Sequence, residues 1–257
     1  MFESSKKALQ HSFFREFVVR HRHRDVNPLD IFIASYPKSG NTWLRSLLAT
    51  AICGEKPKRN EIGRLIPYIG YQSESEFKLP SGGRLIKTHE PHRREYRKAI
   101  YIVRDWREVC VSYYYFERRH ARCDEKFASF LKKFQEGKVD GFGKWTDHVN
   151  SWLKENQNNQ KILFVKYEYL VENTRQVLND ALKFVGVTPC LDLGDVIKEH
   201  SREKMVKDED SSMAKNSSIP FVRSKYAGQN LEEFFLKSKG ERVDEEFMRL
   251  NQYLNYS

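Results

Sequence analysis

Between Ile31 and Thr50 the chain reads IFIASYPKSGNTWLRSLLAT, an apolar run that ends in a polar turn and resumes at helical spacing. A strand running into Lys38, Ser39, Gly40, Asn41 and Thr42 and then into a helix presents backbone N–H groups at a helix N-terminus, beside a lysine and two hydroxyls. Such a set grips a phosphate. Gly40 permits close backbone approach or positive φ, Pro37 stiffens the entrance, and Thr42 is placed to cap the helix and to donate to an oxygen. The nucleoside-triphosphate loop GxxxxGK[ST] is absent, because the lysine precedes the glycine, and magnesium-triphosphate chemistry is therefore disfavoured. On this stretch alone an ordinary strand-to-helix turn is the alternative.

A second cationic group follows in YIVRDWREVCVSYYYFERR, residues 101 to 119. Arg104 ends a strand-like run, and Ser112 falls on the second turn of the helix after it. Both then face the crevice at the carboxyl edge of a sheet, where arginine supplies a bidentate fork for a second phosphate and serine a hydroxyl. A helix-start surface arginine is the plain alternative.

YPKSGNTW together with RDWREVCVSYYYF resembles the cytosolic-type sulfotransferases, whose signatures read approximately YPKSGTTW, then R, then S eight residues on, then YYxF. IKTHEP (86 to 91) is similar to that family's KTHLP, FQEGKVDGFGKWTDHVNSW (134 to 152) to FxxGxVxxGxWxxHVxxW, and VKYEYL (165 to 170) to YEDL. IKEHSREKM and PFVRSKYAG resemble its SFxxM and FxRKGxxGDW segments, so the order of motifs is kept from about Ile31 to Gly228.

The resemblance implies a P-loop-like α/β sulfotransferase fold. It implies transfer of a sulfuryl group from 3′-phosphoadenosine 5′-phosphosulfate (PAPS) to the hydroxyl or amine of a small-molecule acceptor, with release of 3′-phosphoadenosine 5′-phosphate (PAP). Carried over, Lys38, Ser39, Gly40, Asn41 and Thr42 hold the 5′-phosphosulfate, and Trp43 stacks on adenine. Arg104 and Ser112 bind the 3′-phosphate, and Arg223 closes a loop over it with Ser224 beside it. His89 is the implied general base, since imidazole titrates near neutrality. Lys38 neutralises the leaving phosphate and Lys87 assists at the sulfuryl group. No metal is called for, the lysines supplying the electrostatics. From the residues alone, His89 beside a proline also fits a turn residue, with His92 a near rival.

Tyr167 matches an adenine-reaching tyrosine, with core packing as the equal alternative; Ser201 matches a 3′-phosphate contact, with a helix-surface serine as its equal. Trp145, His148 and Trp152 share a helix face and read as core. Departures from the pattern are Asn41 for the usual Thr, Arg202 where an adenine-stacking Phe is general, Ser224-Lys225 for Lys-Gly, and GQN for GDW. Arg202 could still lie on a π face. The family's C-terminal dimer segment is not recognisable, which leaves the oligomeric state open.

The elements that must position these groups are strands at 31–35, 84–89, 99–104 and 161–167, short and without strict alternation. Helices are expected over Thr42 to Cys53, Asp105 to Arg119, Glu125 to Phe134, Lys144 to Glu155 and Tyr167 to Val185, with a charged one across GERVDEEFMRLNQYL. Strand, loop and helix in repetition predict a three-layer sandwich with a central parallel sheet covered on both faces. Residues 1–257 read as a single domain. Residues 1–27 form a basic N-terminal extension in which Arg20 to Arg24 is a solvated charge run; 54–83 contributes mobile loops, and 207–220 is a flexible loop on composition.

A composition of 39% hydrophobic, 13% aromatic and 31% charged residues is that of a globular protein. The net charge of +10 attracts anions without saying which, so a non-catalytic basic nucleotide- or nucleic-acid-binding module is the competing class and a P-loop-type phosphotransferase a weaker one. Of these, the small-molecule reaction without nucleic acid is preferred. Four cysteines, without CxxC spacing, predict free thiols. No run is long enough to cross a bilayer, and the expectation is a soluble, cytoplasmic protein.

Overall fold

The computed structural model describes residues 12–158, 161–201, 203–204, 235 and 243–256. Four short strands, β1 (Ile31–Ser35), β2 (Leu85–Thr88), β3 (Ala99–Val103) and β4 (Ile162–Lys166), form one sheet in the order β2-β1-β3-β4. Every pairing is parallel, with Ile33 opposite Lys87, Ala34 opposite Tyr101 and Tyr101 opposite Phe164. All four strands therefore end on one edge. The chain leaves β1 toward β2 on one side and returns to β3 on the other, which opens a crevice at the carboxyl edge beside β1.

Strand residues alternate between two cores. Phe32, Ala34, Ile86, Tyr101 and Val103 face one cluster, packed under α4 (Trp106–Arg119), α5 (Phe127–Gln135), α6 (Trp145–Asn158) and α10 (Glu245–Tyr253). Ile31, Ile33, Leu85, Ile100 and Ile102 face the other, under α2 (Asn41–Cys53), α3 (Arg59–Leu65), α8 (Thr174–Val185) and α9 (Leu193–Glu199). The result is the expected three-layer α/β sandwich. Burial on both faces is why the strands read as continuous apolar runs. Trp145, His148 and Trp152 are all fully buried, as their shared helix face indicated; each large apolar side chain so buried contributes about 1.5–3 kcal/mol.

Three local departures from the sequence expectation have physical reasons. The helix expected over Tyr167 to Val185 is two helices, α7 (Tyr167–Glu172) and α8, because Asn173 leaves helical geometry at φ −125° and ψ 43°. The segment after Gly54 is more ordered than expected. It holds α3, and its backbone bonds the edge of β2, with Lys87 N–H donating to Pro67 O (2.8 Å) and Ile69 N–H to Lys87 O (2.8 Å); the exposed strand edge is thus covered. Near the N-terminus, α1 (Ser12–Arg22) is a packed helix. Arg20, His21, Arg22 and Arg24 are solvated as expected, but His23 is buried, with Nε2 2.5 Å from the Tyr96 hydroxyl. The loop at 207–220 lies outside the described residues.

Candidate active site

The turn after β1 has an unusual backbone. Lys38 adopts φ +70°, a left-handed conformation that costs a side-chain-bearing residue about 1–3 kcal/mol and clusters at ligand sites; Gly40 follows at φ +95°, which glycine adopts without that penalty. Gly40 takes the N-cap position of α2 with no side-chain cap. Thr42, expected to cap the helix, is instead its second residue and points to solvent. Among the described residues the N–H groups of Gly40, Asn41 and Thr42 find no acceptor, and the Ser39 hydroxyl is fully buried without a hydrogen-bond partner. Orphan donors at the positive end of a helix are what a phosphate satisfies.

Asn41 behaves differently from its neighbours. Its side chain turns inward, Nδ2 donating to Ile33 O (3.0 Å) and to Ser35 Oγ (3.3 Å). It ties the loop back to β1 and leaves its backbone N–H as the group it presents outward.

Arg104 arrives at the same place from the end of β3. Its Nη1 donates to the Lys38 carbonyl at 3.2 Å, and its Nη2 to Glu108 at 2.9 Å. The guanidinium lies over the Tyr167 ring, 4.3 Å from its centroid, and its Nε is buried without a partner among the described residues. Tyr167 in turn covers Gly40 so closely that a Cβ there would lie 2.3 Å from its ring. Trp43 packs edge-on to Tyr167 at 6.2 Å and donates from Nε1 to His200 O at 3.3 Å, next to Ser201. Ser112 is partly exposed on α4, one turn beyond Glu108. Lys38, Ser39, Gly40, Trp43, Arg104 and Tyr167 are thus one cluster, with Ser112 and Ser201 at its margins. Arg202, Arg223 and Ser224 lie outside the described residues.

His89 follows β2, on the other side of β1. Its Nδ1 is 2.8 Å from Ser35 O. A carbonyl only accepts, so Nδ1 carries the proton and Nε2 keeps its lone pair, with no hydrogen-bond partner among the described residues. Burial lowers the imidazole pKa well below its usual value, and the Lys87 ammonium, with a smaller contribution from Lys38, pushes the same way despite the opposing hydrogen bond to Ser35. The ring is therefore neutral at pH 7. Behind it, His148 Nε2 is 3.1 Å from His89 O and His148 Nδ1 is 3.0 Å from the Tyr101 hydroxyl. Burial lowers the His148 pKa to about 3, which keeps this relay neutral too. His92, the rival base, instead packs edge-on to Trp152 at 5.0 Å.

Aromatic side chains complete the surroundings. Tyr68 and Phe142 face the His89 ring at 5.7 and 5.8 Å, Lys87 Nζ sits 4.7 Å over Tyr68, and Lys38 Nζ 4.0 Å over Phe116. Both lysines lie over ring faces, which attract a cation.

A parallel α/β sheet whose switch point carries a loop of unpaired N–H donors at a helix N-terminus has the form of a nucleotide-binding protein of the α/β layer class. More particularly, residues 28–252 match the sulfotransferase domain model, and the chain belongs to the sulfotransferase family. It is 30% identical over 248 residues to sulfotransferase 1E1 of Mus musculus, covering 86% of this chain and 83% of that one. Sulfotransferase 1 family member D1 of the same species is 31% identical over 252 residues, covering 88% and 84%. Among solved structures, mouse sulfotransferase SULT7A1 complexed with PAP superposes with a TM-score of 0.63 at 24% identity, covering 93% of each chain. Retinol dehydratase in complex with androsterone and PAP gives 0.62 at 18% identity, covering 93% and 84%.

Proposed function

We propose that this protein is a PAPS-dependent sulfotransferase acting on a hydroxyl, or an amine, of a small acceptor. Residues 1–257 are read as one domain working in the cytoplasm. The observation that carries the reading is the meeting of two cationic groups, the Lys38 turn and Arg104, within a single hydrogen bond of 3.2 Å, with a neutral histidine on the adjacent strand end. A doubly phosphorylated adenosine needs two such groups in one crevice. The PAP held by the SULT7A1 and retinol dehydratase structures agrees with that requirement.

The residues present fit the donor: among the described residues the buried Ser39 hydroxyl and the N–H groups of the first turn of α2 have no partner and suit one anion, and the buried, unpaired Nε of Arg104 suits a second. When bound, PAPS supplies the sulfuryl group and a phosphate leaving group. His89 Nε2 takes the acceptor's hydroxyl proton, a step for which positioned bases contribute a factor of about 10² to 10⁴. Lys38 and the helix N–H groups offset the charge that develops on the departing phosphate, and Lys87 faces the transferring group. Arg104, with Ser112, Arg223 and Ser224, binds the 3′-phosphate. Trp43 stacks on the adenine, which Tyr167 also reaches, and Ser201 contacts the 3′-phosphate; in sequence Arg202 stands where the family pattern has an adenine-stacking phenylalanine. Tyr68, Phe142 and Phe116 give the acceptor an aromatic vestibule, which suits a small apolar or aromatic molecule.

Thermal melting with PAP, with ATP and magnesium, and with an oligonucleotide tests the donor. PAP at about 100 times its dissociation constant is expected to stabilise by roughly 2.7 kcal/mol. A larger shift with magnesium-ATP, or salt-sensitive oligonucleotide binding without response to PAP, would replace this reading. Transfer from labelled PAPS by a His89→Asn protein, expected to fall at least a hundredfold with PAP binding kept, tests the base.

A further inference from the structure

Glu90 follows His89 at the position where the KTHLP pattern has leucine, and it is buried, only 3% exposed. Its carboxylate meets Arg15 Nη2 at 2.6 Å, from α1, 75 residues earlier in the chain. To reach it, Arg15 passes over Gly141, where a Cβ would come within 3.3 Å of Arg15 Nε, and its guanidinium carbon lies 5.9 Å from the centre of the Phe142 ring. That ring is the one that faces the His89 imidazole at 5.8 Å and 72°. One side chain therefore touches both the turn that carries the base and the aromatic wall opposite it.

The pair is not needed to hold α1 in place. Val19 is buried, Arg93 bonds Glu16 at 3.1 Å, and His23 meets Tyr96 at 2.5 Å, so the helix stays fastened to the 89–96 segment without it. Burying a carboxylate carries a desolvation penalty that a leucine avoids, and a buried ion pair is on its own a poor device for stability. The turn's backbone is already gripped by Thr88 Oγ1 on Glu90 N (3.1 Å), by Trp152 Nε1 on Glu90 O (3.3 Å) and by His148 on His89 O (3.1 Å). Those bonds do not reach the 140–143 loop, which is tied to the end of β1 by the Tyr36 hydroxyl donating to Gly143 O (3.0 Å). Arg15 adds a direct side-chain link between the loop and the Glu90 carboxylate.

We infer that the Arg15–Glu90 ion pair is a positioning element for the transfer step, locking the His89–Glu90 turn and the Phe142 ring together so that an acceptor hydroxyl is presented to His89 Nε2. The inference rests on the reading of His89 as the base. Neither residue touches the donor cluster, so donor affinity is untouched and turnover carries the effect.

The test uses Arg15→Met, Arg15→Lys, Glu90→Gln and the double variant Arg15→Met/Glu90→Leu, which exchanges the ion pair for an apolar one and keeps the fold where a single variant fails to fold. With PAPS saturating and 2-naphthol as acceptor, kcat is expected to fall ten- to a hundredfold in Arg15→Met and Glu90→Gln. Arg15→Lys should recover part of it. The double variant should melt at or above the parent temperature yet remain slow, and PAP affinity should stay within twofold throughout. Parental kcat in the double variant, or losses that follow melting temperature alone, overturns the inference. Histidine side-chain NMR gives a readout that needs no acceptor. The single Nδ1–H tautomer of His89 should broaden or mix in Arg15→Met and Glu90→Gln, and an unchanged signal counts against the pair. If His89→Asn abolishes transfer while the double variant retains it, only the positioning role fails; if His89→Asn retains transfer, the base assignment fails first.

Discussion

Replacing Gly40 by alanine puts the anion-binding turn to its hardest test. A Cβ at this position would lie 2.3 Å from Tyr167 Cδ2 and 2.6 Å from Cε2. Ordinary carbon contacts are about 3.5–4.0 Å, so the ring must retreat by roughly 1.2 Å or more. The backbone at φ +95° adds about 1–2 kcal/mol for any L side chain. Moving the ring also disturbs the Arg104 guanidinium that lies 4.3 Å above it, worth about 0.5–1 kcal/mol at a partly exposed site. Together these predict a destabilisation of about 2–3 kcal/mol, hence a melting temperature lower by roughly 4–12 °C for a chain of this size. Binding suffers separately, because the same turn aims the N–H groups of Gly40, Asn41 and Thr42. Loss of one hydrogen bond to a charged phosphate costs about 1.5–3 kcal/mol, or about 10- to 150-fold in the dissociation constant for PAP by calorimetry. Gly63→Ala is the control, since a Cβ there meets nothing within 4 Å and its helix should gain about 0.5–1 kcal/mol. Adding Tyr167→Ala to Gly40→Ala should return part of the stability by removing the clash. PAP binding by Gly40→Ala within threefold of the parent would refute the role given to this turn.

Other perturbations separate the remaining parts. Arg104→Ala is expected to weaken PAP about 10- to 100-fold while leaving adenosine 5′-phosphate nearly unchanged, so that calorimetry shows the preference for a 3′-phosphate disappearing. Asn41→Ala removes an inward-facing donor and should cost about 1–3 kcal/mol of stability with PAP affinity within about threefold; the reverse pattern would place that side chain on the nucleotide. Acid should destabilise the fold. His23, His89 and His148 all have folded pKa values below the unfolded one, chiefly through burial. The unfolded chain then binds more protons, and stability present above the unfolded value near 6.5 is lost as the pH falls, by up to about 1.4 kcal/mol per unit for each histidine. For His148 the loss continues toward pH 3. Melting temperatures across pH 8 to 5 check this. By the same sign the acidic limb of kcat/KM should lie below pH 6.5; a limb above it would mean that His89 is not the group titrating.

How far the sequence alone reached is best judged residue by residue. The strands, the Lys38 turn, Arg104 at its strand end and the buried face of Trp145, His148 and Trp152 were legible because each is a local pattern. Apolar runs, a glycine before a helix and a three-and-four spacing are all read within a few residues. The resemblance supplied what local pattern could not, namely that a histidine beside a proline belongs with a lysine turn 50 residues earlier.

Long-range placement was not legible. Arg104 is bonded to Lys38 across 66 residues, His148 to His89 across 59 and Arg15 to Glu90 across 75. Nothing in the spacing of such pairs distinguishes them from chance. Nor did composition show that Asn41 turns inward, that Thr42 yields the cap to Gly40, or that His23 leaves its charged neighbours for the interior. The amino-acid order determined which segments become strands and which turns carry cations. The parallel register decided the rest: by ending every strand on one edge, it set groups from distant segments at hydrogen-bond distance, and only the packed fold can do that.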